Sequence, residues 1–259
     1  MIPKTIHYCW FGHNPKPKQA LKCMKSWKKH CPDYEIIEWN EDNFDISSCP
    51  LYVRQAYEAE KWAFVTDYVR LKVVYEHGGI YLDTDVELCK KLDQLLIYGA
   101  FFGFEDGIHV ATGLGFGAEK GAQILLDMMQ DYETIPFIKE DGKLDLTPCP
   151  WRNTEAFKQY GLVQNDTRQI LDGKILILPS VVLCPLSFST GKLRKTKDTI
   201  SIHHFSATWK SEEAKRREKE KRNALKRDYI IHVPNRVGMK LLGAARYKKL
   251  KSFFGRYRA

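Results

Sequence analysis

No apolar run in this chain approaches the roughly eighteen residues that a membrane-crossing helix needs. The N-terminus also lacks the charged-then-apolar pattern of a secretory leader, so a cytoplasmic location is the expectation. Cysteine is sparse and poorly arranged for cross-linking. The seven residues (Cys9, Cys23, Cys31, Cys49, Cys89, Cys149 and Cys184) are odd in number, widely spaced and contain no C-x-x-C pair. A disulfide framework or a zinc knuckle is therefore not indicated, and reduced, mostly buried thiols are expected. Internal repeats are missing too. The run Gly113-Leu-Gly115-Phe-Gly117 has the wrong third spacing for a dinucleotide fingerprint and reads as strand and turn glycines.

What is present is enough for one large core: 259 residues, 44% hydrophobic and 12% aromatic. The net charge of +9 is unevenly placed. Residues 210–259 hold seventeen Lys or Arg against five Asp or Glu, a net of +12, which leaves residues 1–209 at −3. A near-neutral catalytic domain over 1–209 and a basic helical extension over 210–259 follow. Within the first part, apolar strands alternate with helical patterns: strand 2–10, helix 17–30, strand 34–39, helix 51–59, helix 61–77 and strand 79–83. Strands near 99–104, 110–117, 174–183 and 199–205, with a helix over 119–132, complete an α/β fold with a central mixed sheet, whose ligands bind at the carboxyl ends of the strands. The proline-containing stretch 136–153 reads as a long loop that suits an acceptor site.

The most informative residues are Asp83 and Asp85 in Gly78-Gly-Ile-Tyr-Leu-Asp-Thr-Asp-Val-Glu87, one residue apart at the end of a short apolar strand. Two carboxylates that close repel each other, and a divalent cation relieves the repulsion. Oxygen ligands suit Mg2+ or Mn2+, ions that keep positions open for phosphate oxygens. Read alone, Asp-x-Asp is more often a solvated turn. The preceding helix shifts the balance, because Asp67 and Arg70 share one of its faces and the Gly78-Gly79 turn feeds that helix directly into the Asp83 strand. An ordinary intrahelical ion pair remains the alternative for Asp67 and Arg70.

The pattern Thr66-Asp67-x-x-Arg70 … Gly78-Gly79-Ile-Tyr-x-Asp83-x-Asp85 resembles the signature of the sugar transferases that contain a DXD motif. These include fungal outer-chain mannosyltransferases and bacterial capsular polysaccharide enzymes, with glucosylating clostridial toxins as more distant relatives. The opening Ile2-Pro-Lys-Thr-Ile-His7-Tyr-Cys-Trp10-Phe-Gly12 and the segments Ser26-Trp27 and Tyr34-Glu-Ile-Ile-Glu-Trp39-Asn40 agree. The likeness is specific to about residue 95 and returns at His203-His204-Phe-Ser-Ala-Thr-Trp209. It implies a GT-A-like nucleotide-sugar-binding fold and a metal-dependent retaining transfer from a nucleoside-diphosphate sugar, UDP favoured and GDP possible, to a hydroxyl of a glycan acceptor. In a capsule-building enzyme that acceptor is often lipid-linked. By the same resemblance Trp10 stacks on the base, Thr66 contacts it, and Asp67 and Arg70 hold the ribose and donor sugar. Asp83 meets ribose or sugar hydroxyls, Asp85 ligates the metal, Mn2+ or Mg2+, and Trp209 lies over the donor phosphates. A core position for Trp10 is the competing reading.

Adjacent strand histidines point to opposite faces, so only one of His203 and His204 faces the site. The resemblance implies that this C-terminal segment completes the metal shell, and an imidazole suits Mn2+, so His204 is chosen as the second metal ligand, with a surface histidine pair as the alternative. Glu105 and Asp106, ending the apolar strand Ala100-Phe-Phe-Gly-Phe, are candidates to contact the donor or acceptor sugar. Two other classes stand beside the transferase. One is a phosphohydrolase using Asp83 and Asp85, disfavoured by Glu87 where its loop wants Thr or Val. The other is a nucleic-acid-binding module, disfavoured because the basic charge lies outside the expected core. Residues 210–259 suit a membrane-surface anchor: Met239, Leu242, Leu250, Phe253, Phe254 and Tyr257 share one broad helical face, with packing against the catalytic domain or a second subunit as the alternative.

Overall fold

The computed structural model describes residues 1–206. Its frame is a mixed sheet in which β1 (Thr5–Cys9) lies between β2 (Glu35–Trp39) and β3 (Gly79–Tyr81), both parallel to it. The sheet continues from β3 through β7 (Phe116–Ala118), β5 (Ala100–Phe104) and β9 (Ile175–Leu178) to β8 (Gln169–Leu171), with the short β6 (Val110–Ala111) pairing β5. Strand β7 is antiparallel to both β3 and β5. Strands β3 and β5 therefore run the same way, and their carboxyl ends open on one edge. This is the central mixed sheet that the resemblance implied.

Strand alternation divides the core into two layers. Tyr81, Phe102 and Phe116 join one apolar cluster, which is covered by residues of α2 (Leu51–Glu58), α3 (Trp62–His77), α4 (Gln123–Thr134) and α5 (Cys149–Lys158). Ile80, Leu82 and Phe101 join the other, with Trp27 of α1 (Lys18–His30) and Leu183 of α6 (Ser180–Leu183). Helix α3 is buried around most of its circumference, Asp67 and Arg70 included. It stops at Gly78 (φ 69°), whose N–H returns to the Val74 carbonyl. Gly79 follows at φ 109°, where a Cβ would lie 2.9 Å from His7 Nε2 and from the Thr5 carbonyl oxygen. Both glycines are thus required, one by the left-handed turn and the other also by the close approach of β1.

Several expected elements differ. The strand expected over 174–183 ends at Leu178, because Pro179 has no N–H for a ladder and instead opens α6. The strand expected over 110–117 is two pieces separated by a turn with Gly115 at φ 104°. The last strand, β10 (Ser201–His203), does not join the main sheet but pairs antiparallel with β4 (Val86–Leu88), which sequence reading had missed. The loop expected over 136–153 gives way at Cys149 to α5, which carries proline in its first turn, where the absent N–H costs no helical hydrogen bond. All seven cysteines are free thiols, five of them buried, as expected. Among the described residues no helix is long and apolar enough to cross a membrane. Trp209 and the basic segment 210–259 lie outside the described residues.

Candidate active site

Strand parity sets the first part of the site. Tyr81 and Asp83 are two residues apart and lean to the α3 side of the sheet, where Arg70 waits. The Arg70 guanidinium lies 5.3 Å from the Tyr81 ring centroid. Its Nη2 donates to Asp67 Oδ1 at 2.7 Å, and its Nε donates to the Thr66 carbonyl at 2.9 Å. Nη2 also reaches the Thr66 hydroxyl at 3.3 Å, and Nη1 stands 3.7 Å from Asp83 Oδ1. The Tyr81 hydroxyl donates to that same oxygen at 3.0 Å. Gly113 closes the group from above: a Cβ there would lie 2.8 Å from Asp83 Oδ2 and 3.1 Å from Arg70 Nη1. One side of Asp67 is lined by the thiol of Cys149, the first residue of α5.

Burial governs the electrostatics here. It raises the Asp67 and Asp83 carboxyls above their ordinary range; Arg70 opposes this at both, and Asp85 adds to it at Asp83. Burial works against charge on Arg70 as well, but Asp83 and Asp67 together hold the guanidinium firmly protonated. The group is a compact array of charges sharing too little water. Asp83 differs from its partners in keeping 26% of its side chain exposed, so an oxygen is left for a ligand.

Asp85 sits in the turn that precedes β4, and the β4–β10 pairing carries a histidine back to it. The residue that reaches it is His203, Nε2 to Asp85 Oδ1 at 3.2 Å. His204 turns instead to Glu87 at 2.8 Å. The choice of His204 as the residue facing the carboxylates is thereby corrected. Alternation does place the two imidazoles on opposite sides, but Asp85 lies in a turn, where strand parity no longer applies, so the sequence did not reveal which side its carboxylate takes. Ser206 N donates to Asp85 Oδ2 at 2.6 Å, and His204 N to the Asp85 carbonyl at 3.1 Å. Burial opposes ionisation of Asp85, yet His203, the Ser206 N–H and its own backbone N–H bring its pKa down to about 2. Burial likewise opposes the imidazolium of His203, and Asp85 overcomes it. One ligand atom each from Asp83, Asp85 and His203 falls within 4.8 Å of the others. Two carboxylates and an imidazole are a donor set that suits Mn2+ and accepts Mg2+. His203 Nδ1 is buried and makes no hydrogen bond of ordinary length among the described residues, and the Cys184 thiol bears on this imidazole alongside Asp85 and Asp83.

The remaining candidates are spread along the same edge. Trp10 follows β1 directly. In the parallel register that matches His7 with Tyr81 it emerges beside the Asp83 turn. It is half-buried, donates from Nε1 to the Asn14 carbonyl at 2.6 Å and has the Lys16 ammonium 5.7 Å from its ring. Glu105 directly follows β5 and is pushed up by burial, with His203 and Asp83 close enough to act on it. Asp106 is exposed and committed to its own turn, accepting from Ile108 N, His109 N and His109 Nδ1 at 2.8 to 3.0 Å. Sequence reading missed Tyr81, Gly113, Cys149 and Ser206. Tyr81 and Ser206 stand inside the motif segments and Gly113 in the glycine run 113–117, but no role was read for any of them.

Residues 17–102 match the family described as "Glycosyltransferase sugar-binding region containing DXD motif". Over 143 residues the chain is 31% identical to inositol phosphoceramide mannosyltransferase 3 of Schizosaccharomyces pombe, covering 52% of this chain and 38% of that protein. It is 25% identical over 187 residues to the mannosyl phosphorylinositol ceramide synthase SUR1 of Saccharomyces cerevisiae, covering 66% and 46%. The chain thus spans less than half the length of these curated relatives. Among solved structures it is similar to the PaToxG glycosyltransferase, with 18% identity, coverage of 61% and 69%, and a TM-score of 0.47.

Proposed function

From the place of residues 17–102 in the family of DXD-containing sugar-binding glycosyltransferases, we propose that this protein moves a hexose from a nucleoside-diphosphate donor to a hydroxyl of a glycan acceptor. The observation that carries the proposal is the convergence, at the carboxyl edge of the sheet, of the Asp83–Asp85–His203 cluster and the buried Asp67–Arg70 pair. Asp83, Asp85 and His203 would hold a divalent cation, which when bound supplies charge stabilisation to the departing diphosphate. Arg70, fixed from three sides by Thr66, Asp67 and Asp83, is a preorganised cation beside the donor and needs no rearrangement as negative charge develops. Asp67 keeps that guanidinium aimed and takes a sugar hydroxyl. Trp10 offers a ring face to the base. Retention of the anomeric configuration, which the family implies, fits either a front-side displacement or assistance by Glu105.

The donor sugar is read as a hexose because the relatives' names specify mannosyl transfer. Those names refer to an inositol phosphoceramide, which favours an acceptor hydroxyl borne on a lipid over the capsular polysaccharide expected from sequence, and a lipid-borne acceptor gives the basic segment 210–259 a purpose at a membrane surface. A thermal-shift screen of the full chain against UDP, GDP and CMP sugars, with and without Mn2+, tests the proposal. A metal-dependent rise in melting temperature with one nucleotide class is expected by mass action, and no rise with any of them would overturn it. A phosphohydrolase would instead release phosphate from a sugar phosphate without nucleotide dependence.

A further inference from the structure

The rim of the site carries an aromatic pair that the donor chemistry does not use. At the tip of the β5–β6 hairpin the His109 ring lies flat on Trp151, with centroids 5.6 Å apart and planes 6° from parallel. Trp151 stands in the first turn of α5 and keeps 62% of its surface exposed. An indole held mostly in water forgoes the burial that aromatic residues usually gain. It is nevertheless held in place. Asp106 fixes His109 through both its ring Nδ1 (2.9 Å) and its backbone N–H (2.8 Å). The α5 side is fixed as well, since Val110 N donates to the Thr154 hydroxyl at 2.8 Å and Asn153 Nδ2 to the Thr112 hydroxyl at 3.0 Å.

Two chain paths join this pair to the donor site. Cys149, two residues before Trp151, has its thiol against Asp67. Glu105, at the other end of the hairpin tip, donates its N–H to the His109 carbonyl at 2.8 Å, while its carboxylate takes no hydrogen bond or ion pair among the described residues and lies within electrostatic reach of His203 and Asp83. A flat apolar surface and a carboxylate without a partner among the described residues therefore stand at one hairpin tip, at the edge where the donor is read to bind. A pyranose has the complementary chemistry: one face of C–H groups to lie on the indole, and hydroxyls around its rim to donate to a carboxylate. An anionic lipid surface does not, because Glu105 and Asp106 would repel it.

We propose that Trp151, backed by His109, is a stacking platform for a sugar ring of the acceptor, with the Glu105 carboxylate receiving one of its hydroxyls. The inference rests on the donor reading above, and the experiment separates the two. The full chain with Mn2+ and UDP or GDP is titrated with the methyl pyranosides of mannose, galactose and glucose and followed by saturation-transfer NMR. Nucleotide affinity and melting temperature are measured in parallel. At least one glycoside should bind. Trp151→Ala should weaken it by about 2- to 10-fold, the fold-change of one lost aromatic contact, with nucleotide affinity and melting temperature unchanged, and Trp151→Phe should recover most of the loss. Glycoside binding that is indifferent to Trp151→Ala, or no glycoside binding by a chain that does bind nucleotide, would overturn the platform and leave the donor reading intact. Failure to bind nucleotide would overturn both. Attachment of the native chain, but not Trp151→Ala, to neutral phosphatidylcholine vesicles would reject the sugar in favour of a lipid occupant.

Discussion

Two arginines in this molecule are each clamped between two carboxylates over tyrosine rings, and their different settings separate site from scaffold. Arg152 of α5 donates to Asp145 at 2.6 Å and to Asp131 of α4 at 2.5 Å, with Tyr52 and Tyr132 at 5.7 and 5.6 Å from its guanidinium carbon. Arg70 has one tight partner, Asp67 at 2.7 Å, and one loose partner, Asp83 at 3.7 Å, which is also the acid left partly exposed beside Asp85. Both of Arg152's partners are in close contact, so it ties the 136–148 segment and α4 to α5. Arg70 sits among charges that a ligand can still complete. An Arg–Asp pair by itself is therefore no sign of function; the sign is a partner left open at the end of a strand.

The sharpest way to break this comparison is to remove each guanidinium. Arg70→Met should cost about 3 to 5 kcal/mol of unfolding free energy, because it strands the buried Asp67 carboxylate and takes the nearest cation from the partly exposed Asp83. Arg152→Met should cost about 1 to 3 kcal/mol, since Asp131 can be hydrated. Urea unfolding measures both. Arg152→Met should also leave nucleotide affinity untouched, and a loss of affinity there equal to that of Arg70→Met would erase the distinction.

Next in size is Asp85→Asn, which keeps the shape of a proposed ligand but not its charge. Turnover and Mn2+-dependent nucleotide binding should fall by more than about 100-fold, beyond the range seen when a ligand's supporting partner is lost. The circular dichroism spectrum should stay native. Near-native turnover with Mn2+ would place the metal elsewhere.

Trp10→Ala tests whether the donor site extends along the edge to β1. Loss of a base-stacking surface is worth roughly 1 to 3 kcal/mol, hence about five- to 150-fold in nucleotide affinity by calorimetry. A large drop in melting temperature with unchanged affinity would assign Trp10 to the core that its half-buried ring adjoins.

The smallest effect expected is at His204. His204→Ala should change nucleotide affinity by no more than about twofold, as for a substitution away from the site, while His203→Ala lowers Mn2+-dependent binding by about 10- to 100-fold. The reverse order would restore the histidine that sequence reading preferred.

Local rules carried the reading a long way where one segment contains its own constraint. The α3 helix, the Gly78-Gly79 turn and the strand leading to Asp83 follow from apolar periodicity and from two glycines that must turn the chain. Asp67 and Arg70 had to share a face because they are three apart on a helix. Proline marks two of the places where structure and expectation part: Pro179 cuts the expected strand at Leu178, and Pro148 and Pro150, expected in a loop, instead flank and open α5. A proline forbids a ladder bond but tolerates a first helical turn, and nothing local says which of the two will be used.

Residue order alone carries the alternating α/β pattern and the acids and arginine that stand along α3 and after β3, because each depends on spacing within one element. Tertiary structure alone decided that β10 pairs with β4 rather than with the main sheet, that His203 and not His204 meets Asp85, and that Gly113 passes against Asp83 and Arg70 where no side chain fits. It also decided that α5 brings Cys149 to Asp67 and Trp151 to His109. Those outcomes depend on the register between segments about 30 to 120 residues apart, and register is set by the packing of the whole core.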